Sequence, residues 1–131
     1  MQDSIQRVEL EAFFDAFANA FAAFDGAEIA RRYASPYVAL QGDGALACFQ
    51  TSADIGAYFQ RVLDGYRNEG CASCRFQRLD ITPLGRHSTL ASLSWELLDA
   101  KQKVLRAWRE SYTLRRRADR LEIFASVDHV E

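Results

Sequence analysis

The sequence predicts an α+β fold, with helices packed on a curved, mostly antiparallel sheet in the order helix, helix, strand, strand, helix and then a run of strands. Residues 88–129 divide into strand-length pieces with apolar alternation, separated by turn chemistry at 99–102 and 116–119, the pattern of an antiparallel meander. Leu10, Phe13, Phe14, Phe17, Phe21 and Phe24 recur at helical spacing, as do Ile55, Tyr58, Phe59, Val62, Leu63 and Tyr66, so two amphipathic helices are expected to lie on that sheet. Between them GlyAspGly at 42–44, flanked by apolar runs, marks a hairpin.

Taken in order, Asp3 is expected to cap the first helix, with Gln6 completing a capping box, and the helix to run to about Phe24. Asp25 and Gly26 then open a short second helix through Tyr33, with Glu28 supporting the Asp25 cap. Ser35 and Pro36 stop it, because a residue before proline is driven out of helical geometry. Strands are expected at 37–41 and 45–50. Thr51 or Ser52 caps the third helix, which ends near Gly70, and Arg75 to Thr82 form a strand closed by Pro83. A turn at Gly85 leads into the meander. No segment repeats, and none has a linker's composition, so residues 1–131 are read as a single domain.

Composition limits the function classes. A chain of 131 residues with 49% apolar content and nine Phe, five Tyr and two Trp has material for both a core and an aromatic cavity. A net charge of −2 gives no broad footprint for nucleic acid. No apolar run is long enough to span a membrane, and the acidic start at Asp3 and Glu9 lacks the basic flank of a secretion signal, so a cytoplasmic protein is expected. Cys48, Cys71 and Cys74 are odd in number and read as reduced thiols. The Cys71-Ala-Ser-Cys74 spacing leaves a helix rather than opening one, which does not suit a redox motif, and no second ligand pair completes a metal site; no metal is expected.

Tight turns in the meander set its register. If Asp99 pairs with Gln102 and Leu114 with Leu121, one face collects Ala91, Leu93, Trp95, Leu97, Val104, Trp108, Tyr112, Leu114, Leu121, Ile123, Ala125 and Val127. The opposite face collects Ser92, Ser94, Glu96, Arg109, Ser111, Thr113, Glu122, Ser126 and Asp128. Glu110 falls in the middle of the apolar face, between Ala91 and Ala125, and small residues beside a carboxylate leave room for a pocket. Among apolar neighbours its acid would be weakened toward the range in which a proton is exchanged near neutral pH. Its structural alternative is a buried Glu neutralised by Arg106 or another arginine. Tyr37, Tyr58 and Tyr112 are candidate donors to a developing oxyanion, against the commoner role of half-buried filler. Asp54 is explained by the first turn of its helix. Asp128 and His129 are adjacent strand residues and so point to opposite faces, and His87 follows a glycine turn. The arginines at 115, 116, 117 and 120 surround a turn and read as a solvated surface.

The whole order resembles the NTF2-like superfamily of α+β cones, which includes ketosteroid isomerases, dehydratases and SnoaL-like cyclases. The residues that carry the resemblance are PhePheAspAlaPhe at 13–17, AlaSerProTyrVal at 34–38, TrpArgGluSerTyrThrLeuArgArg at 108–116 and LeuGluIlePheAlaSerValAspHis at 121–129. It implies a cavity between the sheet and the first and third helices, lined by Phe14, Phe17, Phe21, Tyr37, Tyr58, Phe59, Trp95, Trp108, Ile123 and Val127, with Glu110 and Tyr112 as its catalytic candidates. Several members carry a His on the last strand; here that place falls on Ala125 or Val127, which leaves a carboxylate and no imidazole. The resemblance further implies a homodimer through the outer sheet face around Ser92, Ser94, Arg109 and Ser111. It also implies a cofactor-independent isomerase, cyclase or dehydratase acting on a small hydrophobic molecule; the alternative is a non-catalytic ligand-binding or dimeric assembly module.

Overall fold

The computed structural model describes residues 4–130. Helix α1 (Arg7–Ala22) and the short α2 (Gly26–Ala30) precede strands β1 (Tyr33–Leu40) and β2 (Leu46–Phe49). Helix α3 (Ser52–Asn68) is followed by β3 (Ser73–Pro83), β4 (Ser88–Leu98), β5 (Val104–Arg117) and β6 (Arg120–Asp128). The strands form one six-stranded sheet in the order β2-β1-β6-β5-β4-β3, antiparallel except where β1 runs parallel to β6. The element order is the one the sequence predicts. Among the described residues no helix is long and apolar enough to cross a membrane.

The helix ends follow local chemistry. The Asp3 cap lies outside the described residues; Gln6 is the N-cap of α1, its N–H donating to Glu9 Oε1 at 3.1 Å. Asp25 caps α2, accepting from the N–H groups of Ala27 and Glu28, and Thr51 caps α3, accepting from that of Asp54. Helix α2 is shorter than expected and stops at Ala30, because Tyr33 is claimed by the sheet, opposite Ile123 of β6. Pro36 then falls inside β1, in the gap between Tyr33 and Val38 where pairing with β6 is irregular and no ladder donor is needed.

Phe14 is the centre of the core. Its ring lies 5.3 Å from Tyr112, 5.9 Å from Phe76 and 6.3 Å from Trp95, centroid to centroid, so α1 presses on three successive strands at once. Arg116 of β5 reaches back to Glu9 Oε1 at 2.8 Å and fixes the start of α1 over the sheet.

The meander register differs from the predicted one in two ways. Turn geometry moves each pairing along by two residues, so that Glu110 faces Leu93 rather than Ala91 across the β4–β5 pair. On the other side, Leu114 pairs with Ile123 but Thr113 with Ala125, leaving Phe124 as an unpaired extra residue in β6. That bulge inverts the faces beyond it. Ser126 and Asp128 turn inward, Glu110 stands opposite Asp128, and Val127, expected inside, is 41% exposed on the outer face. A second irregularity, between Leu97 and Leu98, leaves Val104 exposed as well. On the outer face the polar side chains bond one another: Ser92 Oγ lies 2.6 Å from Ser111 Oγ, and Arg109 bridges to Asp80 at 2.6 Å and donates to Ser94.

Helices α2 and α3 meet so closely at Gly26 that a Cβ there would stand 2.5 Å from the Gly56 carbonyl oxygen and 2.7 Å from the Gln60 backbone nitrogen. Both are backbone atoms that cannot rotate away. A Gly26→Ala variant is expected to lose about 1–3 kcal/mol in chemical denaturation. Gly65→Ala on α3, where a Cβ meets nothing within 4 Å, is expected to be neutral or slightly stabilising through helix propensity. Equal effects of the two would contradict this packing.

Candidate functional site

A cavity of about 430 Å³ opens between the concave sheet face and the helices α1 and α3. That volume is in the range of small-molecule sites. Its walls include every tyrosine of the chain, Tyr33, Tyr37, Tyr58, Tyr66 and Tyr112, and both tryptophans, Trp95 and Trp108. Phe17, Phe21, Ile29, Phe59, Val62 and Leu63 supply the apolar remainder from the helices. Such walls are apolar in area but carry a hydroxyl or ring N–H on nearly every ring.

Those handles bond in chains that converge on Glu110. The Trp95 Nε1–H donates to the Tyr112 hydroxyl at 2.8 Å, and the Tyr112 O–H in turn donates to the Glu110 carboxyl group. Trp108, two residues along β5 on the same face, donates from Nε1 to Glu110 Oε1 at 2.9 Å. Across the strand pair, Glu110 also bonds to Asp128, and the backbone N–H of Gly42 supports Asp128 from the β1–β2 hairpin. A separate chain runs from Tyr33 to Tyr37, whose hydroxyl oxygen lies 2.6 Å from Ser126 Oγ. Gln41 donates to the Tyr58 hydroxyl at 3.2 Å, which leaves the Tyr58 proton directed elsewhere.

Electrostatics follow from this arrangement. Burial is the main cause that pushes the Glu110 carboxyl up, to about 8; the nearby Asp128 charge adds to it, and the Trp108 and Tyr112 donors only partly offset it. Asp128 is raised too, mainly by burial, while its bonds from Glu110 and from the Gly42 N–H favour its charged form. Glu110 and Asp128 thus face each other across neighbouring strands as two carboxyl groups that burial pushes toward their protonated forms. Glu110 stays partly accessible because the cavity opens to solvent. No arginine is paired with it among the described residues: Arg106, at the rim, is held by Glu69 at 2.9 and 3.0 Å. Burial also raises the tyrosine hydroxyls, Tyr66 to about 12.

Of the residues expected in the site, Phe17, Phe21, Tyr37, Tyr58, Phe59, Trp95, Trp108, Glu110 and Tyr112 stand on the cavity wall. Phe14 and Ile123 do not; both are fully buried in the layer beneath it, where the core of α1 meets the sheet. Val127 points away for the reason given by the bulge. Sequence reasoning missed Asp128 and Ser126, which it placed on the outer face, and the roles of Tyr33 and Tyr66. The concentration of all tyrosines and tryptophans around one carboxylate is the signal from which the latter two were recoverable. His129 also borders the cavity and favours the charged form of Asp128, while its Nε2 lies 2.7 Å from Ser111 Oγ. Cys74 reaches the wall, but burial holds its thiol at about 12, far from a thiolate. No cluster of His, Cys, Asp and Glu among the described residues has the makings of a metal site.

Comparison with solved structures returns the same architecture. Aln2 from a Streptomyces species superposes with a TM-score of 0.77 at 16% identity, over 97% of this chain and 94% of its own. An NTF2-like protein with a cystatin-like fold from Novosphingobium aromaticivorans gives 0.74 at 13% identity, over 93% and 79%. A ketosteroid isomerase-like protein from Erwinia carotovora atroseptica gives 0.68 at 15% identity, over 92% of both chains. At such identities the likeness is one of fold. No curated protein is similar enough to match. The family model described as NTF2-like protein (DUF6841) matches residues 8–131, and the chain accordingly belongs to that NTF2-like family.

Proposed function

We propose that this protein binds a small, mostly apolar molecule in the aromatic cavity and moves a proton on it without a cofactor, as in an isomerisation, cyclisation or dehydration. The observation that carries the reading is the placement of the Glu110 and Asp128 carboxyl groups opposite each other at the wall of a solvent-reachable cavity, with no arginine neutralising Glu110 among the described residues. A carboxyl and a carboxylate side by side are an acid and a base in one place. Asp128, the charged partner, takes a proton from carbon, while Glu110 supplies its own to the oxygen on which charge develops. Tyr112 is committed between Trp95 and Glu110 and orients the carboxyl. Tyr58, whose oxygen accepts from Gln41, has its proton available for the same oxyanion.

The alternative, a ligand-binding module without chemistry, is favoured by how fully Trp108 and Tyr112 occupy Glu110. Exchange at an activated carbon separates the two. With β-tetralone in deuterated buffer, proton NMR is expected to show exchange at the benzylic position above the buffer rate, and Glu110→Gln or Asp128→Asn is expected to lower the excess roughly 100-fold or more. Exchange that is unchanged in both variants would leave the binding module.

The buried Glu110 carboxyl also links stability to pH. The raised Glu110 carboxyl means that the folded state keeps a proton the unfolded chain has released between the ordinary value of 4.5 and about 8, so stability falls as pH rises through that window. Glu110→Gln is expected to flatten the profile and, above pH 8, to be more stable than the parent by on the order of 2 kcal/mol in urea denaturation. A variant less stable than its parent at high pH would mean that the carboxylate has a stabilising cationic partner.

A further inference from the structure

We infer that the ligand of this cavity carries a basic nitrogen: a protonated amine on an aromatic or other flat apolar body, held between the Glu110–Asp128 pair and the tyrosine rings of the wall. The inference rests on the cavity being a ligand site, as proposed above, but on no reaction there. Asp128 places a carboxyl group on the cavity wall; of the basic side chains there, Arg106 is neutralised at the rim by two bonds to Glu69, and the His129 ring beside Asp128 is engaged with Ser111 Oγ at 2.7 Å. A charge in an apolar cavity is costly until an opposite charge meets it. The walls favour the same sign, because the faces of phenol and indole rings are the negative part of their quadrupole. One contact of that kind already exists, with the Arg106 guanidinium 5.8 Å from the centre of the Tyr66 ring at the cavity edge.

Other ligand classes fit less well. A carboxylate or phosphate would meet Asp128 and the electron-rich ring faces, and the Arg106 guanidinium is already committed to Glu69. A neutral molecule would gain apolar burial but leave the carboxylate uncompensated. The volume of about 430 Å³ holds on the order of a dozen heavy atoms at the looser packing of a ligand site, the size of a bicyclic ring with a short arm. The amine arm would lie against Asp128, where it displaces the Glu110 bond or adds to it.

The test is a shape-matched series in which only the charge of the arm changes: tryptamine, tryptophol and indoleacetate, titrated calorimetrically near neutral pH. Tryptamine is expected to bind about tenfold more tightly than tryptophol, and indoleacetate more weakly than either. In the Glu110→Gln, Asp128→Asn double variant, which loses charge rather than packing, the preference for the amine is expected to fall below about twofold. Tryptophol binding as tightly as tryptamine would overturn the inference while leaving the cavity as a ligand site. A preference that persists in the double variant would overturn it by placing the amine elsewhere. Binding by none of the three would overturn it too, and the proton-transfer reading would then stand or fall on the β-tetralone exchange alone.

Discussion

The extra residue in β6 controls what the cavity contains. Side chains alternate along a strand with period two, so inserting Phe124 between the residues opposite Leu114 and Thr113 inverts everything that follows it. Ile123, ahead of the bulge, remains in the core. Beyond it Ser126 comes within 2.6 Å of the Tyr37 hydroxyl, Asp128 comes opposite Glu110, and Val127 goes out to pair beside Leu40 on the other face. Without the bulge the inner wall would end in Val127, and Glu110 would stand alone on an apolar surface. Its proton would then have no carboxylate opposite it to accept it.

Two carboxylates on neighbouring strands, directly opposite each other, set the energetics of the site. Were both ionised at hydrogen-bond distance, their repulsion at an effective dielectric near 20 would be about 4 kcal/mol or more, on top of the cost of removing each from water. Holding one proton between them turns that repulsion into a charge-assisted hydrogen bond. The donors around the pair divide it unequally. Trp108 and Tyr112 bond to Glu110, but the Gly42 N–H and Glu110 itself both favour charge on Asp128, and Asp128 is the less deeply buried.

The fold was legible because each of its parts has a local cause. The phenylalanine stripe of α1, the Asp25 and Thr51 caps, the GlyAspGly hairpin and the meander turns are all written in short windows of sequence, and their order admits few topologies. The cavity wall was legible up to the bulge. Glu110 was visible as a charge in an apolar alternation, and the ring residues beside it followed by counting in twos. Asp128 was not visible, since no glycine or proline marks Phe124 and a period-two count carried past a bulge gives the wrong face for every later residue. Phe14 and Ile123 were misplaced for a different reason. Helical and strand periodicity tells which face a residue is on but not how deep it lies, and Phe14 is held beneath the cavity floor by Phe76, Trp95 and Tyr112. The early end of α2 reflects tertiary pairing of Tyr33 with β6, which no local signal announces.

Apolar side chains around a void of this size would be expected to close on it, because atoms that face a gap forfeit the dispersion energy a neighbour would supply. Here the rings have directional bonds that a collapse would break. Trp95 is tied to Tyr112, Tyr33 to Tyr37 and Tyr37 to Ser126, Tyr58 to Gln41, and Trp108 to Glu110, each joining neighbouring elements or fixing a ring against its own strand. Burial of apolar area draws the rings together, and the hydrogen bonds limit how far they move. A wall of leucine and phenylalanine would have the first tendency without the second. The same bonds set the orientation of the Glu110 carboxyl opposite Asp128, so the network that holds the cavity open also fixes the carboxyl pair on its wall.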